Sequence, residues 1–469
     1  MIIWCLIVFF IILYVKTWIH FQNMRTILQY RCSMRQLSSF FLVALLFSAC
    51  KSPRPVVVPR AEVVMPDHSV VVQPVSSTVN VPVVEQPKTV DALPQVTPSK
   101  SDWADVKRAE LEALCHDSLS MTTQIGLYVY DLTQESILFA HNEQQRFRPA
   151  SCQKVITSVS ALALLGTDYC FRTSLLTDGA VSGGVLQGDV YVVGGMDPLL
   201  SRADVRKLVT ALKEKGIRQV KGHFYQDLSF REEAQYGWGW CWDDDYGPLS
   251  ALMVDGKDQF ENQWMDMIHN QGIICLDKSC KMRVCPATAT LVSTITHSLD
   301  EVLPTMMKQS DNIYAECLFY QIAASGGEKQ AGRKQVQELV SPLIANMGIA
   351  PASYMIADGS GLSLYNYVTP VLLTSFLKYA WKNENIMTHF LPSLPVAGVD
   401  GTLKNRMKNT SAFRKVQAKT GSLYGLSSLC GFAKTANGHT VAFTIINQGV
   451  SKCDDGRDFQ DRVCDILCK

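Results

Sequence analysis

The sequence predicts an α+β protein whose folded body begins near residue 101. Three observations carry this. Short strand-like runs bounded by turn residues recur, most clearly "KVQAKTGSL", "SLCGFAKT" and "TVAFTIINQ", the last two joined across Asn437-Gly438. Apolar residues at helical spacing come in separate runs such as "LDEVLPTMMKQSDNIYAECLFYQIAA". Strands joined by turns, with helices gathered elsewhere, give antiparallel layers rather than a parallel βαβ sheet. The 469 residues suffice for two ordinary domains, and 47% hydrophobic with 19% charged residues fits neither a disordered chain nor a polytopic membrane protein. A net charge of +1 offers no basic excess, so no nucleic-acid partner is expected.

In chain order, residues 1–50 read as a leader. "MIIWCLIVFFIILYV" is apolar but short for a spanning helix. A second pattern starts at Met34, "MRQLSSFFLVALLFSAC", with a basic residue, an apolar core and small residues before a cysteine. That is the plan of a signal peptide. Its ending resembles the cleavage and lipid-attachment site of bacterial lipoproteins, with Cys50 as the lipidated residue and Phe47 where an aliphatic residue is usual. On this reading translation starts at Met34; the alternative is an uncleaved anchor from Met1. Both export the body, to the periplasm and tethered to a membrane. Residues 51–100 hold nine of the nineteen prolines and read as an extended linker.

The body opens with an amphipathic helix, "DWADVKRAELEALCHD", and a hairpin, "IGLYVYDL" with "SILFAHN". A helix beginning at Pro149 follows. From Arg172 the texture changes to short strands and turns, then a helix "SRADVRKLVTALKEKG", one strand "IRQVKGHFYQD" and the aromatic stretch "YGWGWCWDDDYGPLSALMVDG". Helical patterning returns through Ser310, and the chain ends in three strands and a helix. Twelve cysteines lie in the body, clustered at Cys275, Cys280 and Cys285 and at Cys453, Cys464 and Cys468. Their spacing is not that of a zinc site, so neither metal nor cofactor is expected; they are disulfides or buried thiols.

In "RPASCQKVITSVSALALLG", Ser151 and Lys154 share the first turn of a helix. A lysine there is partly desolvated and near the positive end of the helix dipole, and both effects favour its neutral form. A neutral amine beside a hydroxyl is a base beside a nucleophile. The pair alone decides little, since Ser375 and Lys378 repeat it. Cys152 is a rival nucleophile, and a small buried side chain is its plainer reading. Two further motifs lie downstream, Ser310-Asp311-Asn312 and Lys419-Thr420-Gly421. S-x-x-K, S-D-N and K-T-G in this order form the set of serine β-lactamases and penicillin-binding proteins. In such a set Ser151 attacks a carbonyl and Lys154 takes its proton. Ser310 relays a proton to the leaving amine, and Asn312 holds Lys154 and the substrate amide. Lys419 adds a second positive charge, which favours neutral Lys154 and can bind a terminal carboxylate; Thr420 adds a hydroxyl to that carboxylate, and Gly421 gives room along the strand. The backbone N–H groups of Ser151 and Ser422 would form an oxyanion hole.

These motifs, with "GDVYVVGGMDPLLS", "WDDDYGPLSALMVDG" and "DGSGLSLYNYVTP", resemble the class C low-molecular-mass penicillin-binding proteins, the D-alanyl-D-alanine carboxypeptidase/endopeptidase family, over residues 105–469. The resemblance implies a β-lactamase/transpeptidase-like catalytic domain, an antiparallel sheet with helices, in two parts, 101–172 and 286–469. A smaller α+β domain, 173–285, is inserted in the long gap between Lys154 and Ser310, with no third domain nested in it. It implies peptidoglycan peptides as substrates and β-lactam antibiotics as inhibitors. Asp244 matches the aspartate that receives a side-chain amine, or it belongs to a solvated acidic turn. Leu364 stands where the family usually has arginine. A β-lactamase is the rival enzyme and would need a second base, for which no residue is placed after Ser310. An inactive wall-binding lipoprotein is the rival from another class, and the intact motifs argue against it.

Overall fold

The computed structural model describes residues 102–469, apart from residues 235, 242, 245, 328 and 329; the leader, Cys50 and the proline linker lie outside the described residues. The chain runs through α1 (Trp103–Cys115), the hairpin β1 (Gln124–Asp131) and β2 (Ser136–His141), and α2 (Gln153–Leu164), which a 3₁₀ turn at Ala150–Cys152 leads in. Next come β3 (Cys170–Asp178), β4 (Val181–Ser182), β5 (Val185–Leu186), β6 (Asp189–Val193), α3 (Arg202–Glu214), β7 (Gln219–Val220), β8 (Phe224–Asp227), α4 (Phe260–Asn270), β9 (Ile274–Cys275), β10 (Lys281–Met282) and β11 (Thr290–Ser298). Five helices follow, α5 (Leu299–Lys308), α6 (Asn312–Ala324), α7 (Arg333–Asn346), α8 (Pro370–Trp381) and α9 (Glu384–Ser393). The strands β12 (Val416–Leu423), β13 (Leu426–Lys434) and β14 (Thr440–Gln448) and helix α10 (Cys453–Cys468) complete the chain.

The fold is α+β. Its largest layer is an antiparallel sheet in the order β12-β13-β14-β1-β2. The pairing of β1 with β14 closes the two ends of the body on each other. Both faces of the sheet are covered, which the strands show by alternation: Ala442 and Ile446 of β14 face one core, Val441, Phe443 and Ile445 the other. One core packs α2, α5, α6 and α8 on the sheet; the other packs α1 and α10. Helix α2 is buried all round from Gln153 to Leu162, not on one face alone.

Residues 170–298 hold a core of their own, from Leu175 to Ile295. Their two sheets run β10-β8-β6-β3-β11 and β4-β5-β7-β9, with parallel pairs such as β6 with β8 beside the antiparallel ones. The single strand expected over "IRQVKGHFYQD" is two, β7 and β8, in different sheets. The helix expected to run through Ser310 is also two. Asp311 caps α6, its side chain accepting from Tyr314 N, and Ser310 takes a left-handed φ of 64° outside both helices. Among the described residues no helix is long and apolar enough to cross a membrane. All twelve described cysteines are free thiols, and seven of them are buried in the cores: Cys115, Cys152, Cys280, Cys317, Cys430, Cys464 and Cys468.

Candidate active site

The turn that carries Ser151 is built by contact with β12. Ala150, at a left-handed φ of 47°, turns the chain into the 3₁₀ turn that carries Ser151. Gly421 on β12 is buried beneath that turn, and a Cβ there would lie 2.3 Å from Ser428 Oγ and 2.9 Å from Pro149 O. The glycine therefore seats the serine turn on the sheet, a tighter requirement than room for a substrate. Ser428 Oγ fastens the same turn by donating to Pro149 O at 2.7 Å.

Lys154 is fully buried. Its Nζ lies 3.0 Å from Ser151 Oγ, 2.6 Å from Asn312 Oδ1 and 2.9 Å from Ser360 O. Two of these three partners can only accept. A neutral amine has two N–H groups and one lone pair, so it satisfies Asn312 and Ser360 as donor and can accept the Ser151 proton. Burial pushes the Lys154 ammonium down to about 7, and the positive charge of Lys419 adds to the shift. Lys419 is equally buried; its Nζ donates to Ser310 Oγ and to Thr420 O, each at 2.8 Å. Burial brings it down to about 8.

The carbonyl of Ser360 is a partner that sequence reasoning missed. Its loop is held by Glu316, whose Oε1 accepts from Gly359 N (3.1 Å) and Ser360 N (2.9 Å). Glu316 is buried, and burial followed by the Asp358 charge raises it to about 8. The signal was present, since Glu316 stands four residues after Asn312 on one helix face. Asp358 closes the loop on itself through Gly361 N and Ser363 N, and Trp240 Nε1 donates to it at 3.0 Å. That bond docks the tryptophan-rich stretch beside the loop.

A cavity of about 630 Å³ opens at Ser151, Ser310, Thr420 and Ser422, and Thr402 and Arg457 also line it. Thr420 Oγ1 donates to Thr402 Oγ1 at 2.7 Å. β12 is the sheet's edge strand, so part of its backbone faces outward. It runs on to Leu423, so K-T-G lies within the strand. The structure thus gathers Ser151, Lys154, Ser310, Asn312, Lys419, Thr420, Gly421 and Ser422. It does not bring Asp244 to this cavity: its Oδ2 accepts from Cys241 N at 2.6 Å on its own loop. Leu364 presents its carbonyl to Arg148 Nε (3.1 Å). Cys152 is fully buried with Sγ toward Lys419 O (3.3 Å), behind the cavity and not in it. The decoy Lys378 sits over the Tyr130 ring, 3.6 Å from its centroid.

The D-alanyl-D-alanine carboxypeptidase DacB of Haemophilus influenzae is 27% identical over 416 residues, covering 71% of this chain and 87% of that protein. The D-alanyl-D-alanine carboxypeptidase of Actinomadura sp. strain R39 is 26% identical over 442 residues, 73% and 81% of the two chains. The crystal structure of penicillin binding protein 4 (dacB) from Haemophilus influenzae superposes with a TM-score of 0.67 at 25% identity, covering 75% of this chain and 98% of that one. The sequence profile of the D-Ala-D-Ala carboxypeptidase 3 (S13) family matches residues 107–262 and 249–468, nearly the whole folded body, and this chain belongs to that family.

Proposed function

We propose that this chain is a penicillin-binding serine D-Ala-D-Ala carboxypeptidase that acts on peptidoglycan peptides through an ester on Ser151. The observation that carries the mechanism is the buried Lys154, 3.0 Å from Ser151 Oγ with its other partners restricted to acceptors. Ser151 Oγ attacks the carbonyl between the two D-alanines while its proton passes to Lys154. The N–H groups of Ser151 and Ser422 receive the oxyanion. The C–N bond breaks, and the leaving amine takes a proton through Ser310, which Lys419 holds in place. Water then cleaves the ester. The same acyl transfer cuts a terminal D-alanine or a cross-link. The test is mass spectrometry after exposure to benzylpenicillin: the peptide carrying Ser151 should gain the drug's mass, and labelling that persists in Ser151→Ala would reject the assignment.

The two lysines set a pH profile. Catalysis needs Lys154 neutral, so activity rises as pH passes about 7. It needs Lys419 charged, so activity falls as pH passes about 8. The expected kcat/KM profile is a narrow bell peaking between these values, with both apparent pKa values belonging to the coupled pair. A profile flat from about pH 6 to about pH 9 would contradict this assignment of roles.

Peptidoglycan lies outside the cytoplasmic membrane, so the chain is exported. Cys50 is proposed as the lipidated N-terminus and residues 51–100 as its tether, on the support of "LLFSAC" and the proline spacing. Cys50→Ala should release the protein from membranes or stop its maturation; an intact Met1 N-terminus recovered from cells would exclude both the cleavage and the start at Met34. The segment between β3 and β11 is proposed as an inserted domain, supported by its separate core and by the pairing of those two strands at its ends.

A further inference from the structure

Lys419 is the cation that the motif offers to a substrate carboxylate, yet its ammonium is fully buried and held by Ser310 and by Thr420 O. Among the described residues, two other cations line the Ser151 cavity, Arg406 and Arg457. Arg406 is occupied. Its Nε and Nη2 both donate to Asp461 Oδ1, at 3.0 and 2.6 Å, and Nη2 also reaches Gln460 Oε1 and Arg457 O. Its side chain is only 13% exposed. Arg457 differs on each count. Its side chain is 42% exposed, and the structure gives its guanidinium two partners out of five N–H donors. One is Asp454 Oδ1 at 2.7 Å, on a carboxylate that is itself 78% exposed and so easily exchanged. The other is Ser422 Oγ at 3.3 Å.

That second contact sets the guanidinium beside the strand that carries K-T-G. Thr420 and Ser422 are two residues apart on β12, so their side chains share a face. A leaving residue laid along this edge has its carboxylate on the carbon next to the scissile nitrogen. A terminal D-alanine is such a residue. We propose that Arg457, on the C-terminal helix, binds this α-carboxylate, exchanging Asp454 for the substrate and acting with the Thr420 hydroxyl. A guanidinium offers a carboxylate two parallel hydrogen bonds, which fix its orientation as well as its charge. This inference deepens the proposed function and rests on it.

The test uses two thioesters of one acyl-D-alanyl group, with thioglycolate or 2-mercaptoacetamide as leaving group, so that only the carboxylate differs. Its readout is the ratio of the two kcat/KM values, which does not depend on the fraction of enzyme folded. The wild type should prefer thioglycolate. In Arg457→Gln that preference should shrink roughly tenfold to a hundredfold, the loss expected for a charged hydrogen-bonding pair. Arg457→Lys, which keeps the charge without the fork, should fall between. Asp454→Asn, which removes the competing carboxylate, should raise the preference. An unchanged ratio in Arg457→Gln, with a wild type active on both thioesters, overturns the arginine assignment alone. A wild type that turns over neither, no faster than Ser151→Ala, overturns the proposed function and this inference with it.

Discussion

Replacing Ser151 by alanine should lower kcat/KM on a D-Ala-D-Ala peptide by on the order of 10⁴-fold to 10⁶-fold, and Lys154→Ala should lose nearly as much. The equality is the informative part. Ser151 Oγ is a poor nucleophile until its proton leaves, and Lys154 Nζ is its amine neighbour at 3.0 Å. Removing either member therefore stops the same step, so the double variant should be little worse than either single one. Lys154→Ala also strips Asn312 Oδ1 and Ser360 O of their common donor inside the protein. Buried acceptors without a donor are destabilising by about 1–3 kcal/mol each, so this variant should also melt earlier than Ser151→Ala. Single-turnover acylation and thermal unfolding measured on the same samples separate the two effects. A Lys154→Ala enzyme acylated at a rate within about tenfold of wild type would remove the lysine from the role of base.

Gly361→Ala should be the most disruptive small substitution near the site, with a stability loss of about 2–4 kcal/mol. Gly361 has a left-handed φ of 82°, and a Cβ there would lie 1.8 Å from Ala150 O and 2.5 Å from Ala150 C. Both are backbone atoms of the turn that carries Ser151, so no side-chain rotation relieves the overlap. One of two things must move: the Ser151 turn, or the loop whose Ser360 carbonyl holds Lys154. Either displaces nucleophile from base, and kcat/KM should fall by at least about tenfold in the protein that still folds. Gly166→Ala is the control. Its φ is 87°, but a Cβ there meets nothing within 4 Å, so it carries the backbone strain without the overlap. It should cost about 1–2 kcal/mol and leave acylation unchanged. Denaturant unfolding of both variants decides the matter: equal losses would show that backbone strain, not the packing of loop on turn, governs Gly361.

Several features could be read from the sequence because local rules decide them. The hairpin of β1 and β2, the three closing strands around Asn437-Gly438 and the helices over 103–115 and 202–214 follow from apolar period and turn chemistry. The same rules did not reveal the break before α6. There the apolar pattern continues through Ser310, while Asp311 as a cap and the left-handed Ser310 interrupt the backbone. Nor did they divide "IRQVKGHFYQD" between two sheets, because partner choice is not a property of one strand.

The chemistry divides in the same way. The sequence by itself marked the candidates for nucleophile, base and proton relay, since S-x-x-K, S-D-N and K-T-G are combinations of side-chain type at fixed spacing. It also determined that Ser151 and Lys154 would be neighbours, because three residues make one helical turn. Only the tertiary structure decided that Lys154 meets Asn312 and Ser360, 158 and 206 residues away in the chain. Only it decided that Lys419 faces Ser310 from inside the protein, that Glu316 holds the Ser360 loop, and that Arg457 reaches the edge of β12. The physical reason is that helical spacing fixes contacts within a turn, whereas burial and the encounter of distant segments are set by how sheet and helices pack. That packing, by burying Lys154 beside the charge of Lys419, brings its ammonium down to about 7.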